Sequence, residues 1–594
     1  MIKKNKNLIV VTEIPATFSE NFSGYIIGAT LFSTRLNEMP IKNNIFCNYD
    51  QNGDAINSNF EKVNFYYERV LEDLLKYFNN YHCSNFDIKF WRIMIGPWLH
   101  TYISAMFERY LEISSINKNW NNLSFIGLNK NNYSIAEDTL SYTDLLREDF
   151  FNLQLYTEII KFLDIPITKY INLNNKMVKA RAHTGFFKKC VKYIYIKIFN
   201  ILRKIIDPKI VIHQSYFPNF WVFLLFFRSK GRVLPLVKVD SAHLAVSESY
   251  NKIDFRKDDT FVTIFDEFTK LISITINKQI PTVFLENYKS IVDYEHNYPS
   301  KIRIIFSSTA WMFDEPFKYW SAKQNFKYKT QLLGIQHGGD YGIMKIMPNE
   351  DHELKILDKF YSWGWKENCM KVVPMPSNKI LLQNKLQKKL NNKINRILFV
   401  TSTYPKYFFR YPHNTKDYLK SIHNQIALFD SLDANIFSKL VWRPHYADLG
   451  WLRTNYIKEN SLNKKLPTLE FWDKNFWESL QNSDIYIADH MSTTYAQALS
   501  INKPTLLYWD FNANHLRPRS KPIFDKFLDL NILFDCPIKV AQMINSLDGT
   551  LADWWSNEER QSAINEFLAL FCSNPTNGCV IWQKEFNRML SNAN

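Results

Sequence analysis

The sequence predicts an α/β fold made of two doubly wound halves. Three observations carry this reading. Short β-branched or aromatic runs alternate with long amphipathic stretches, as parallel βαβ units require. The alternation restarts after a Lys-, Asn- and Gln-rich segment at 378–396, and a chain of 594 residues exceeds what one core organises.

Strands in the first half are expected at Leu8–Val11, Lys209–His213, Arg303–Ser307, Gln331–Gln336 and Lys359–Trp363, each bounded by turn or polar residues. Helices are expected at Phe60–Asn79 and Trp98–Ile116. The 378–396 segment reads as a solvated helix bridging the halves, which places the domains at 1–390 and 391–594. Beyond it come strands at Arg396–Thr401, Ser438–Arg443, Asp484–Ala488 and Thr505–Trp509. Helices are expected around Asp417–Leu432 and from Thr493, stopped by Asn502-Lys503-Pro504. Doubly wound sheets bind ligands at the carboxyl ends of their strands, so a cleft between the halves is the expected site.

Composition narrows the classes. The chain is 46% hydrophobic and so not disordered. Its 73 basic and 58 acidic residues leave a formal charge of +15, which favours anionic partners. No zinc-finger spacing or RNP-like aromatic run points to nucleic acid. Seven scattered cysteines without a CxxC pair argue against a zinc site or a disulfide framework and fit a reduced, cytoplasmic setting. The longest apolar run, Phe220–Phe227, is far short of the ~20 residues that span a bilayer. The basic stretch Phe186–Ile206 reads as a buried helix with a solvated face, or as peripheral contact with the anionic inner membrane.

Chemistry concentrates in a few places. Four of the 15 glycines fall within Gly334–Gly342, around Gln336-His337-Gly338-Gly339-Asp340. Glycines after a strand let amides approach an anion, so Gln336, Gly338 and Gly339 are expected at a phosphate, with His337 as proton shuttle. A tight structural turn is the competing reading. His352 and Glu353 are acid/base candidates, and none of these three leads as catalytic base. Trp363 and Trp365 flank Gly364. In the second half, Arg443-Pro444-His445 ends a strand and offers a bidentate fork and an imidazole. Ser492, Thr493 and Thr494 are expected at a helix start, where hydroxyls, free amides and the dipole together hold phosphate. Asp510, His515, Arg517 and Arg519 shape the rim. Phe90–Leu99 reads as core packing at a helix start.

Three segments resemble a family of transferases found in bacterial O-antigen and other surface-polysaccharide gene clusters. They are Trp91-Arg-Ile-Met-Ile-Gly-Pro-Trp98, Gln336–Gly342 with Trp363-Gly364-Trp365, and Arg443-Pro444-His445 with Ser492-Thr493-Thr494. More loosely, the chain is similar to two-domain (GT-B) transferases that use CMP-activated acidic sugars, including capsular Kdo, pseudaminic acid and sialic acid transferases. Those carry a His-Pro element and a Ser/Thr pair for the CMP donor. Here the order is Pro444-His445, which leaves the donor open, and the segment from Thr12 to Ser33 departs from that pattern, so no base is carried over from it.

The resemblance implies two Rossmann-like domains facing across a cleft, the N-terminal one elaborated with extra helices. It implies a glycosyltransferase moving a sugar from a nucleotide donor, CMP-linked in one reading, to a glycan or lipid-linked acceptor; metal independence is expected from the residues themselves, since no Asp-x-Asp element stands at a strand end. Its expected donor-binding residues are Gln336, Gly338, Gly339, Arg443, His445 and Ser492–Thr494. A polyol-phosphate transferase, a nucleotide-sugar epimerase and a non-catalytic glycan-assembly scaffold are the alternatives.

Overall fold

The computed structural model describes residues 7–17, 24–27, 30, 45–46, 53–119, 121–173, 206–236, 256, 261–367, 370–383, 390–412, 415–462, 464–511 and 515–593. Its strands form three sheets, and every strand pair in them is parallel. The first holds β1 (Asn7–Val10), β2 (Gly24–Ile26), β3 (Ile45–Phe46), β4 (Leu123–Leu128) and β5 (Ile167–Ile171), in the order β3-β2-β1-β4-β5. The middle sheet holds β6 (Ile210–His213), β7 (Val233–Pro235), β8 (Ile304–Ser307), β9 (Gln331–Ile335), β10 (Lys359–Ser362) and β11 (Val372–Pro374), in the order β11-β10-β9-β8-β6-β7. The last holds β12 (Ile397–Val400), β13 (Leu440–Arg443), β14 (Thr468–Leu469), β15 (Ile485–Ala488), β16 (Thr505–Tyr508) and β17 (Leu533–Phe534), in the order β14-β13-β12-β15-β16-β17.

The α/β class therefore holds, and the middle and C-terminal sheets are the two Rossmann-like layers. The C-terminal order, counted from β12, is 3-2-1-4-5-6, that of dinucleotide-binding folds. The elaboration of the first 390 residues goes further than extra helices, because it includes a whole third parallel sheet. Central strands such as β6, β8, β12 and β15 are buried along their length, which is why they read as unbroken apolar runs.

Two long helices, α1 (Gly53–Tyr81) and α2 (Ile88–Asn119), pack against each other and into the main core. Nearly every side chain of α2 from Phe90 to Phe107 is buried, so the helix shows no polar stripe. Trp91 and Trp98 are fully buried, in line with the packing role expected of that segment. Gly96 is there for space, since a Cβ on it would stand 2.8 Å from His352 Cε1 and 2.9 Å from Tyr67 Oη. Two further helices frame the site, α3 (Pro348–Ile356) and α4 (Thr415–Asp430). Next come α5 (Thr493–Ser500) and the last helix, α6 (Gly578–Asn592). The last returns from the C-terminal sheet to the middle one and buries Trp582 and Phe586 against Phe217, Phe306 and Tyr361.

The described part of 378–396 carries no helix, contrary to expectation. Asn378 is buried there and accepts a 2.8 Å bond from Trp363 Nε1, so the segment starts as packed structure rather than a solvated bridge. The basic stretch 186–206 lies outside the described residues except for Ile206. No helix among the described residues is long and apolar enough to cross a membrane.

A candidate active site where two sheets meet

In the C-terminal sheet the connections leave β12 and β15 in opposite directions, which opens a crevice at the carboxyl ends of those two strands. Ser402 and Tyr404 follow β12 into it, Asp489 and His490 follow β15, and Tyr508 and Trp509 close it at the end of β16. Asp489 is held by its neighbours. One oxygen takes Gln425 Nε2 at 2.7 Å, and the other sits 2.9 Å from His490 Nδ1. The buried Tyr508 hydroxyl and Trp509 Nε1 find no hydrogen-bond partner among the described residues. Both groups therefore have bonding capacity to spare at the wall of the crevice.

The glycine turn behaves differently from its expectation. Gln336 is fully buried and accepts from Trp363 N and Trp365 Nε1, both at 2.8 Å, while its Nε2 donates to Gly338 O at 2.7 Å. It braces the turn from inside the core. Only Gly342 of the four glycines has positive φ, at 71°. The others answer to close approach. A Cβ on Gly334 would overlap Leu357, and one on Gly339 would overlap the Ser492 carbonyl. The turn is thus the contact through which the carboxyl end of the middle sheet seats on the start of α5. Thr493 Oγ1 and the Tyr495 hydroxyl add bonds to His337 O and Gly339 O, at 3.4 and 3.3 Å.

Ser492, Thr493 and Thr494 stand at the start of α5 and are half-buried. Ser492 makes no side-chain capping bond, and Thr494 Oγ1 accepts from the Tyr486 hydroxyl at 2.8 Å. Arg443 corrects the sequence reading. Its guanidinium is buried, bonded to Glu470 at 2.8 Å and Lys474 O at 2.9 Å, and lies over Trp472 and Phe476. With its fork engaged and no exposed face, it does not present itself to a phosphate. His445 is half-buried with Nδ1 turned to the Ala447 backbone, and burial holds its imidazole below the ordinary range.

The three acid/base candidates separate. His337 Nε2 lies 3.2 Å from the Tyr341 hydroxyl, which donates to Glu353 Oε1 at 3.3 Å. Burial, with the Lys379 and Arg410 charges, lowers His337 to about 3. Burial also pushes the Glu353 carboxyl well up. His352, although adjacent in sequence, points the other way, into a pocket beside Tyr67 and His100. Further along, Arg517 pairs with Glu350 at 2.6 Å and Arg519 with Glu367, so these rim charges tie the C-terminal sheet to the middle one.

Four groups that the sequence reading did not single out converge on this junction: Asp340, Lys379, Tyr404 and Arg410. Burial raises the Asp340 carboxyl, and the Arg410 and Lys379 charges work against that rise. Lys379 is brought down to about 8 by burial, offset by Asp340. The loop 402–412 that carries Tyr404 and Arg410 is fastened to the N-terminal part. Lys406 pairs with Glu13, the Tyr407 hydroxyl donates to Asp149, and Phe408 O accepts from Arg109 at 3.0 Å. Arg410 itself remains solvent-exposed in the cleft, with a 2.9 Å bond to Asn349 Oδ1. The available signal was a long strand-end loop closing on an Arg, but such a loop has no periodicity to single out a residue. Among the described residues no three His, Cys, Asp or Glu side chains are grouped so as to hold a metal.

The family model of the LIC12162 family transferases matches residues 9–586, nearly the whole chain. The chain belongs to that family and is a transferase. No curated protein matches it at a significant level. Solved structures with a faint likeness include MurG of Acinetobacter baumannii, 10% identical over 64% of this chain and 100% of that one, TM-score 0.33. An α-glucosyltransferase in complex with UDP and a 13-mer DNA is 11% identical over 64% and 98%, TM-score 0.33. The spinosyn forosaminyltransferase SpnP is 9% identical over 64% and 99%, TM-score 0.32. Likenesses this slight carry no argument about chemistry.

Proposed function

We propose that this transferase is a glycosyltransferase whose nucleotide-sugar donor occupies the crevice between β12 and β15. The observation that carries the reading is the pair of unpartnered buried groups, Tyr508 and Trp509, in the switch-point crevice of a 3-2-1-4-5-6 sheet. Asp489 and His490 suit the hydroxyls of a ribose or sugar. The first turn of α5, with Ser492 uncapped, suits the donor phosphate. The C-terminal half is then the donor side and residues 1–390 the acceptor side.

Asp340 is the proposed general base. Its raised carboxyl is a better proton acceptor near neutral pH than an imidazole lowered to about 3. His337 remains neutral, oriented by Tyr341 and Glu353, and serves as a hydrogen-bond donor or acceptor in the cleft. Lys379 stabilises charge as the donor phosphate departs. The similarity of Ser492-Thr493-Thr494 to transferases of CMP-activated sugars supports a CMP-linked acidic sugar as donor, and surface-polysaccharide assembly as the setting.

Calorimetric titration with CMP-, UDP- and GDP-sugars tests the reading. One of them binds, and His490→Ala weakens it about tenfold, as the loss of one hydrogen bond does. Asp340→Asn leaves that affinity in place and lowers kcat by about a thousandfold, within the range for loss of a positioned base. If no nucleotide sugar binds the intact chain, the reading fails.

A further inference from the structure

A second pocket opens on the other side of Arg410, between α1, α2 and the first turn of α3. Tyr67 and Phe409 wall it, and His100, His352, Asn349 and Arg410 supply polar atoms. Two features distinguish it from a packing gap. His352 is only 8% exposed, yet its Nε2 has no hydrogen-bond partner among the described residues. Arg410 has Asn349 as its hydrogen-bond partner and, among the described residues, meets no carboxylate at ion-pair distance.

We propose that this pocket binds a sugar bearing an anionic group, whose carboxylate or phosphate oxygens are gripped by Arg410 and whose ring lies among Tyr67, His100 and His352. Resting on the reading above, it identifies the acceptor as an acidic or phosphorylated glycan. A guanidinium without a fixed carboxylate, opposite neutral hydrogen-bonding rings, is suited to planar anion recognition. Burial brings His100 down to about 3 and His352 well below its ordinary range, so both rings stay neutral; His100 Nε2 is held by Asn64 Oδ1 at 3.2 Å, and the unpartnered His352 Nε2 is left for a sugar hydroxyl. Lys355, bonded to Glu68 at 2.8 Å, adds positive charge at the rim. Asp351 also lines the pocket, and burial raises its carboxyl against the Arg517 and Lys355 charges. The pocket shares Arg410 with the junction that holds Asp340, so a sugar held here lies beside the proposed base.

Titration of the full chain with glucuronate, glucose 6-phosphate and glucose tests this, with the melting temperature of each variant as a check on folding. At least one anionic sugar binds about tenfold more tightly than glucose, and Arg410→Gln removes that preference while Arg410→Lys restores part of it. Preference for glucuronate or for glucose 6-phosphate tells carboxylate from phosphate. If neither anionic sugar binds, or if folded Arg410→Gln retains the preference, the inference is overturned. If Arg410→Gln weakens nucleotide-sugar binding alone, Arg410 belongs to the donor, and the inference falls while the glycosyltransferase reading stands. If an anionic sugar binds through Arg410 but no nucleotide sugar binds at all, that reading falls and the pocket remains.

Discussion

The carboxyl ends of the middle and C-terminal sheets face one another, yet they are finished in opposite ways. The middle sheet closes itself. Gln336, Trp363, Trp365 and Asn378 satisfy one another so fully that the strand ends after β9 and β10 offer a ligand little beyond His337 and Asp340. The C-terminal sheet stays open, with a crevice lined by hydroxyl, carboxylate and indole groups, two of which lack partners. The contrast teaches that glycine density marked the contact between the sheets, whereas the polar groups with bonding capacity to spare line the crevice of the C-terminal sheet.

Four substitutions break or sharpen this contrast. Gly339→Val drives a branched side chain into the Ser492 backbone, which cannot yield as a flexible side chain would. A loss of about 5 kcal/mol in chemical denaturation, or failure to fold, is expected. Gln336→Leu leaves two buried N–H donors and the Gly338 carbonyl without partners, at a cost of about 4 kcal/mol. A loss below about 1 kcal/mol would return Gln336 to the list of ligand-binding groups. Arg443→Met removes one side of a buried pair and costs about 3 kcal/mol, moderated because Arg396 still reaches Glu470 at 2.7 Å. Its nucleotide-sugar affinity should match the parent chain, and a marked loss would show that Arg443 does face the donor.

The smallest effect is a pH dependence. The folded His337 is lowered to about 3, so below the ordinary histidine pKa of about 6.5 the unfolded chain takes up a proton that the folded chain refuses. Stability from this group is complete above that value and is lost as pH falls towards 3. His337→Gln should therefore lose about 2 kcal/mol less than the parent between pH 8 and pH 5. Equal losses in denaturation curves at the two pH values would mean that His337 is solvated and titrates normally.

The inner strands of the two Rossmann-like layers were legible because buried parallel strands write themselves as β-branched runs between turn residues, as at 304–307 and 485–488, whereas the short edge strands β7, β11, β14 and β17 were not. The N-terminal sheet was mostly hidden. Its β2 and β3 are three and two residues long and separated by long connections, too short for any periodicity to register. Site residues divided the same way. Ser492–Thr494 could be placed at a helix start from local chemistry alone, but the fates of Gln336 and Arg443 depended on Trp365 and Glu470, each 27 or more positions away. Arg410 gave no signal because its meaning comes from Asn349 and Asp340, brought to it by the fold.

One more consequence belongs to α6. After the helix that ends at Phe571, the chain passes beside the strand ends of the middle sheet, where Ser573 N donates to Trp363 O at 2.7 Å and Ser573 O accepts from Ser377 N at 2.8 Å. It then lays α6 across that sheet, with Trp582 Nε1 bonded to Pro376 O at 2.8 Å. The chain therefore passes the strand ends of the middle sheet twice, at Pro376–Asn378 on the way out and at Ser573 on the way back. Cutting away the returning stretch would strip the aromatic cover that Trp582 and Phe586 give that sheet.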